Sequence, residues 1–89
     1  MIERNLIITN KLGLHARAAA KVVSVASRYR CTIQVTHGGR TIDAKSIMGL
    51  LTLGAAKGTQ LHVCVDGDDE QPAMAELADL FERKFDEGE

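Results

Sequence analysis

The chain has 89 residues and almost no aromatic side chains: no Trp, one Tyr and two Phe, 3% in all. A core must therefore be built from Ile, Leu, Val and Ala, and few flat rings are available for nucleobases to stack on. Neither sign of charge is in excess. Eleven Lys and Arg stand against twelve Asp and Glu, a net charge of -1, so no global positive field exists to hold a polyanion. Both shortages argue against nucleic-acid binding. The two cysteines, Cys31 and Cys64, lie 33 positions apart and outside any CxxC pair, and read as two reduced thiols. No apolar run nears the ~20 residues that cross a bilayer. The start, Met1-Ile2-Glu3-Arg4-Asn5, lacks the basic and apolar regions of a secretory signal. Repeats and low-complexity stretches are also missing. A chain of this length buries about 60–65% of its unfolded surface. The expectation is one cytoplasmic, monomeric domain over residues 1–89, without membrane insertion.

What is present alternates between two periods. Ile2 to Thr9 reads as a strand with Leu6 and Ile8 on one face, followed by a loop over Asn10-Lys11-Leu12-Gly13. From Ala16 to Ser27 the period is helical. Arg17, Lys21, Ser24 and Arg28 form a polar stripe, with Ala16, Ala19, Ala20, Val23 and Ala26 expected on the buried side. Thr32–Thr36 and Thr41–Asp43 read as a hairpin around His37-Gly38-Gly39-Arg40. Ser46 suits the N-cap of a short helix over Ile47–Leu53. Gln60 to Asp66 alternates, with Leu61, Val63 and Val65 facing in. A last helix is expected from Glu70 to Lys84, its apolar stripe being Met74, Leu77, Ala78, Phe81 and Phe85. The tail Asp86-Glu87-Gly88-Glu89 is expected to be frayed and solvated. The order β-α-β-β-α-β-α, with helices on one face of four short strands, makes a two-layer, open-faced α+β sandwich.

One segment carries chemistry. Gly13-Leu14-His15-Ala16-Arg17 sets an imidazole just before a helix. The first turn of a helix has backbone N–H groups without intrahelical partners and the positive end of the dipole, which together make an anion site. A histidine there can serve as a nucleophile whose phosphorylated product has its charge met in advance. The dipole disfavours a cationic ring, Ala16, Arg17 and Ala18 supply backbone donors, and Arg17 adds a charge-assisted bond to a group carrying about -2. No acidic residue is near in sequence to repel the phosphate or act as a base. The bland alternative is a histidine that only caps its helix. His37 and His62 have no partners at metal-ligand spacing, so no metal or other cofactor is expected.

Two longer motifs give the chain a resemblance. Thr9-Asn10-Lys11-Leu12-Gly13-Leu14-His15-Ala16-Arg17, and Ala44-Lys45-Ser46-Ile47-Met48-Gly49-Leu50 followed by Gly54-Ala55-Ala56-Lys57-Gly58, are similar to those of HPr, the histidine phosphocarrier of the bacterial phosphotransferase system, and of its nitrogen-related paralogue NPr. The resemblance covers essentially the whole chain. It implies an antiparallel four-stranded sheet covered by three helices. It also implies a relay: enzyme I, charged by phosphoenolpyruvate, passes a phosphoryl group to Nδ1 of His15, Arg17 pairs with it, and an enzyme IIA component receives it. Such a protein is a substrate and donor rather than a self-sufficient enzyme. The family often has proline where this chain has Ala18, which here adds an N–H donor instead.

Ser46 has a sufficient role as a cap. The resemblance adds that serine at this position is phosphorylated by a dedicated kinase in some bacteria, and reversal falls to a matching phosphorylase. Ala20, Lys21, Ser24, Ile47, Met48 and Leu51 are the expected partner contacts, an apolar centre with a basic rim. Two other readings stand beside the sugar-uptake carrier. One is a regulatory, NPr-like carrier that controls target proteins. The other is a binding module with no covalent step.

Overall fold

Alternating apolar residues in β4 (Gln60–Asp66) make it the strand on which the sheet is organised. Its inward side chains Leu61, Val63 and Val65 are fully buried. It pairs antiparallel with β1 (Ile2–Ile7) on one side and with β2 (Thr32–His37) on the other, and β3 (Arg40–Asp43) completes the order β1-β4-β2-β3. The register sets Leu61 opposite Leu6, and Val63 opposite Val35. A one-residue slip would turn these side chains to the polar face. On that outer face the His62 ring lies between Asn5 Oδ1 at 3.1 Å and Glu3 Oε1 at 2.8 Å. The computed structural model describes residues 1–88; Glu89 of the expected tail lies outside them.

Three helices cover the inner face. They are α1 (Ala16–Ala26), α2 (Ile47–Thr52) and α3 (Glu70–Glu82), and α1 packs against both of the others. The buried side of α1 is Ala18, Ala19, Val22, Val25 and Ala26. It is rotated from the expected one. Ala16 and Ala20 are exposed and Val23 is half-buried, because two neighbouring helices and the sheet draw the larger valines at 22 and 25 inward. Ser46 caps α2 as expected, its Oγ accepting from Gly49 N–H at 3.1 Å. The two thiols are free; Cys31 is buried, and that burial pushes its pKa up to about 11.

The chain after α3 departs from the expectation of a helix running to Lys84. Arg83 caps α3, and Lys84, Phe85 and Asp86 then take φ values of 57°, 55° and 62°. Three consecutive left-handed residues other than glycine cost about 1–2 kcal/mol each. Burial of Phe85 offsets that cost: its ring is fully buried and meets Phe81 edge-on at 4.9 Å. Lys21 Nζ donates to the Phe85 carbonyl at 2.8 Å, and Arg83 Nε to Asp86 Oδ1 at 2.9 Å. The tail is therefore fastened down through residue 87 rather than frayed.

The loop before α1 is fixed by a close approach. Gly13 has φ +70°, and a Cβ there would lie 2.6 Å from the Ala55 carbonyl oxygen and 2.9 Å from Ala56 Cα. That same Ala55 oxygen accepts from Leu14 N–H at 2.8 Å. Gly13→Ala is expected to cost about 2–4 kcal/mol, a fall in Tm of roughly 10 °C or more. Gly38→Ala, at φ +58° with nothing within 4 Å, is expected to cost only about 1 kcal/mol. Thermal unfolding of the two variants checks this; equal losses would show that the contact with Ala55 does not matter.

A carboxylate ties α3 to the start of β2. Asp69 accepts from Arg30 N–H at 2.8 Å and Cys31 N–H at 3.0 Å. These bonds, the one from Arg30 foremost, hold its pKa below the ordinary carboxylate value. A depressed folded pKa means that the unfolded chain binds the proton more readily. The stabilisation is thus full above the unfolded value of about 4 and is lost as pH falls through the lower folded value. Asp69→Asn is expected to lower Tm at pH 7, with the gap from wild type closing below about pH 4; a gap that does not change with pH would refute the assignment.

Candidate functional site

The residue before α1 is His15, with φ -80° and ψ -179°, and its side chain makes no capping bond. Its backbone is nevertheless fully used. The His15 N–H donates to Gly13 O at 2.9 Å, and its carbonyl accepts from Ala19 N–H at 2.8 Å. Among the described residues no acceptor engages the N–H groups of Ala16, Arg17 and Ala18. The expected donors are thus free, at the positive end of the helix dipole. Because the ring caps nothing, the reading of His15 as a mere cap loses its basis.

The ring is part-buried, its side chain 28% exposed. Its Nε2 meets Oε2 of Glu87. No acid is near His15 in sequence, but one is near in space: Glu87 is 72 positions away in the chain, and the left-handed turn at Lys84–Asp86 brings it back. The other oxygen, Oε1, accepts from Asn10 Nδ2 at 2.8 Å. The same amide nitrogen donates to Gly13 O at 2.7 Å. Asn10 is 0% exposed, and its Oδ1 has no hydrogen-bond partner among the described residues. An unpaired buried acceptor costs about 1–3 kcal/mol, yet rotating the amide would set that oxygen against two acceptors. Glu87 has a pKa held below the usual carboxylate range, first by the Asn10 amide and then by the His15 hydrogen bond and the charges of His15 and Arg17.

Of the expected basic stripe only part is available. Arg17 is exposed, and its guanidinium has no hydrogen-bonding partner among the described residues. With Lys11, Leu12, Asp86 and Glu87 it lines a shallow groove beside the ring. Lys21, expected as a partner contact, is instead half-buried, donating to the Phe85 carbonyl and lying 3.6 Å from Asp86 Oδ2. Arg28 pairs with Glu76. Ala20 and Ser24 are exposed. The apolar side chains of α2 divide between core and surface. Leu50 and Leu53 turn inward, Met48 is 67% exposed, Ile47 is exposed and Leu51 half-buried. Leu12, 70% exposed, adds to the apolar surface and was not singled out by the sequence. Neither were Asn10 and Glu87. The one hint in the sequence is Phe85, an anchor placed beyond the basic pair Arg83-Lys84 that would end a helix.

Comparison with known proteins identifies the family and the fold. The family described as PTS HPr component phosphorylation site matches residues 2–83. The phosphocarrier protein HPr of Xylella fastidiosa strain 9a5c is 49% identical over 87 residues, 98% of each chain. A crystal structure of HPr from Thermoanaerobacter tengcongensis superimposes with a TM-score of 0.94 at 44% identity, covering 98% of each chain. An HPr dimer from the same organism matches with a TM-score of 0.77 at 44% identity, over 96% of this chain and 98% of that one. The four-stranded antiparallel sheet under three helices is the architecture these structures share. The chain belongs to the HPr family of phosphocarrier proteins.

Proposed function

We propose that this protein carries a phosphoryl group in the phosphoenolpyruvate-dependent phosphotransferase system, accepting it from enzyme I on Nδ1 of His15 and passing it to an enzyme IIA component. The observation that carries the reading is the imidazole at a helix start whose first three N–H groups, like the Arg17 guanidinium alongside, are without acceptors among the described residues. In the transfer, the bond from phosphorus to the donor atom of enzyme I breaks as an N–P bond forms on His15. The leaving electron pair stays on the donor atom. The transferred oxygens, carrying about -2, then meet the Ala16, Arg17 and Ala18 amides and the Arg17 guanidinium. All of these groups come from one chain, so a monomer is complete, whatever pairing a relative such as the Thermoanaerobacter HPr dimer shows.

The partner surface we assign is the apolar cluster of Leu12, Ile47, Met48 and Leu51 with Ala20 and Ser24, and Arg17 as its available cation. A carrier must use one surface for donor and acceptor and release both, which suits a small patch of this kind better than a large interface.

After incubation with enzyme I and phosphoenolpyruvate, intact mass is expected to show one acid-labile phosphoryl group on the wild type and none on His15→Ala. Arg17→Ala is expected to be charged about tenfold or more slowly, the value of a charge-assisted hydrogen bond. An unmodified wild type, or a His15→Ala protein charged as fully as wild type, would refute the reading and favour a binding module with no covalent step.

We further propose that Ser46 is a site of regulatory phosphorylation by a serine kinase. The hydroxyl is half-buried and accepts from Gly49 N–H, leaving its own proton free, and it adjoins the exposed Ile47 and Met48 of the partner surface. Ser46→Asp is expected to take phosphate from enzyme I more slowly than Ser46→Ala, which loses the cap but adds no charge. Equal rates for the two would set the charge aside as the cause.

A further inference from the structure

We propose that Asn10 is a positioning residue that keeps the start of α1 uncapped: its carboxamide holds the Gly13 carbonyl away from the free N–H groups of the first turn. The role rests on the reading of His15 as the phosphoryl acceptor and adds to it a residue that acts through the backbone.

Asn10 grips Gly13 at both ends. Its main-chain carbonyl accepts from Gly13 N–H at 3.3 Å, and its Nδ2 donates to Gly13 O at 2.7 Å. The His15 N–H reaches the same Gly13 oxygen at 2.9 Å. A carbonyl oxygen has two lone pairs, and both are now used. Between these residues, Leu14 N–H goes to Ala55 O at 2.8 Å. Every N–H from Gly13 to His15 is therefore placed. The first without an acceptor among the described residues are those of Ala16, Arg17 and Ala18.

The Gly13 carbonyl is the acceptor that threatens this arrangement. The observed helix begins with Ala19 N–H on the His15 carbonyl. Continued backwards at the same spacing, it would join Arg17 N–H to Gly13 O, and a tighter 3-10 turn would join Ala16 N–H to it. Either bond would fill a donor that the phosphoryl oxygens need. Leu14 is fastened by its buried side chain and by Ala55. Gly13 has no side chain, and its backbone is the most permissive in the loop, so its carbonyl needs a separate hold. Asn10 supplies it at a cost. Its side chain is fully buried, and its Oδ1 has no hydrogen-bond partner among the described residues. A buried orphan acceptor is destabilising and calls for a role. Turning the amide round would set Oδ1 against Gly13 O and Glu87 Oε1, two acceptors. The position thus demands a donor, and Nδ2 has one hydrogen for each of these oxygens.

The test uses the full chain, labelled with 15N. Asn10→Leu nearly keeps the volume and loses the donor, whereas Asn10→Ala also leaves a cavity; the amide spectrum establishes that each is folded. In the wild type the Ala16 and Arg17 N–H groups are expected to exchange rapidly with water, and to shift downfield when enzyme I and phosphoenolpyruvate charge His15. In both variants the Gly13 carbonyl is expected to turn onto one of them. Exchange there then slows about tenfold or more, the downfield shift shrinks, and kcat for charging falls about tenfold or more, the effect of losing one aimed donor. Asn10→Leu is expected to change Tm little, because the orphan oxygen leaves with the donor. A merely structural Asn10 would lower Tm and leave exchange in the first turn unslowed. In a Glu87→Ala background the Asn10→Leu effect is expected to persist. Its disappearance there would overturn the route through Gly13. Exchange at Ala16 and Arg17 as fast in the folded variants as in the wild type would overturn the hold on Gly13, whatever the charging rates. A wild type that takes no phosphoryl group would overturn the carrier reading, and the positioning role with it, even where exchange slows in the variants.

Discussion

The rest of the molecule serves one electrostatic condition: three backbone N–H groups at the start of α1 left without acceptors among the described residues, beside an imidazole. Such groups are ordinarily capped by a side chain, and the residue in the capping position here is a histidine that does not cap. Keeping the site open demands a rigid approach to the helix. Gly13 supplies it by packing where no Cβ fits, with Leu14 bonded to Ala55. The loop after α2 is thus a wall of the site, although it contributes no chemistry. The contact is made by backbone atoms of Ala55 and Ala56, while Gly54 and Gly58 of the same loop take φ values of +59° and +90° with open space around them.

The C-terminal turn answers a different requirement. The start of a helix offers positive surroundings to an anion, while the far nitrogen of the His15 ring meets a negative partner. The fold separates the two needs in space. The Ala16, Arg17 and Ala18 amides and the exposed Arg17 side chain lie at the helix start, and Glu87 meets Nε2. The separation is held by Lys21, which the turn takes from the surface stripe for its own use. What stays exposed around the helix start is Arg17, with the apolar side chains at 12, 47 and 48 and the half-buried Leu51.

The stability of the sheet and the accessibility of the site are largely decoupled. The core of Leu61, Val63, Val65, Ile33 and Val35 is on the inner face of the sheet, and the exposed Met48 and Leu12 lie outside it. Changes at these exposed side chains can therefore occur with little effect on folding. The exception is α2, where Gly49 lies against Ile42 with 3.2 Å to a built Cβ, so the helix that presents Met48 also packs on β3.

Local pattern alone determined the element order, the inward residues of β2 and β4, the cap at Ser46 and the place of His15 before its helix. Each of these depends on neighbours within a few positions, where periodicity and capping chemistry act. Three things were decided only by tertiary packing. The buried stripe of α1 turned by about one residue, because its neighbours on two sides, rather than its own pattern, chose which valines to bury. The last helix stopped at Glu82, because burying Phe85 through a left-handed turn outweighed continuing the helical period. And Glu87 reached His15 across 72 positions, a contact with no local signature, since a carboxylate in an acidic tail looks the same in sequence whether it is solvated or bound to a ring.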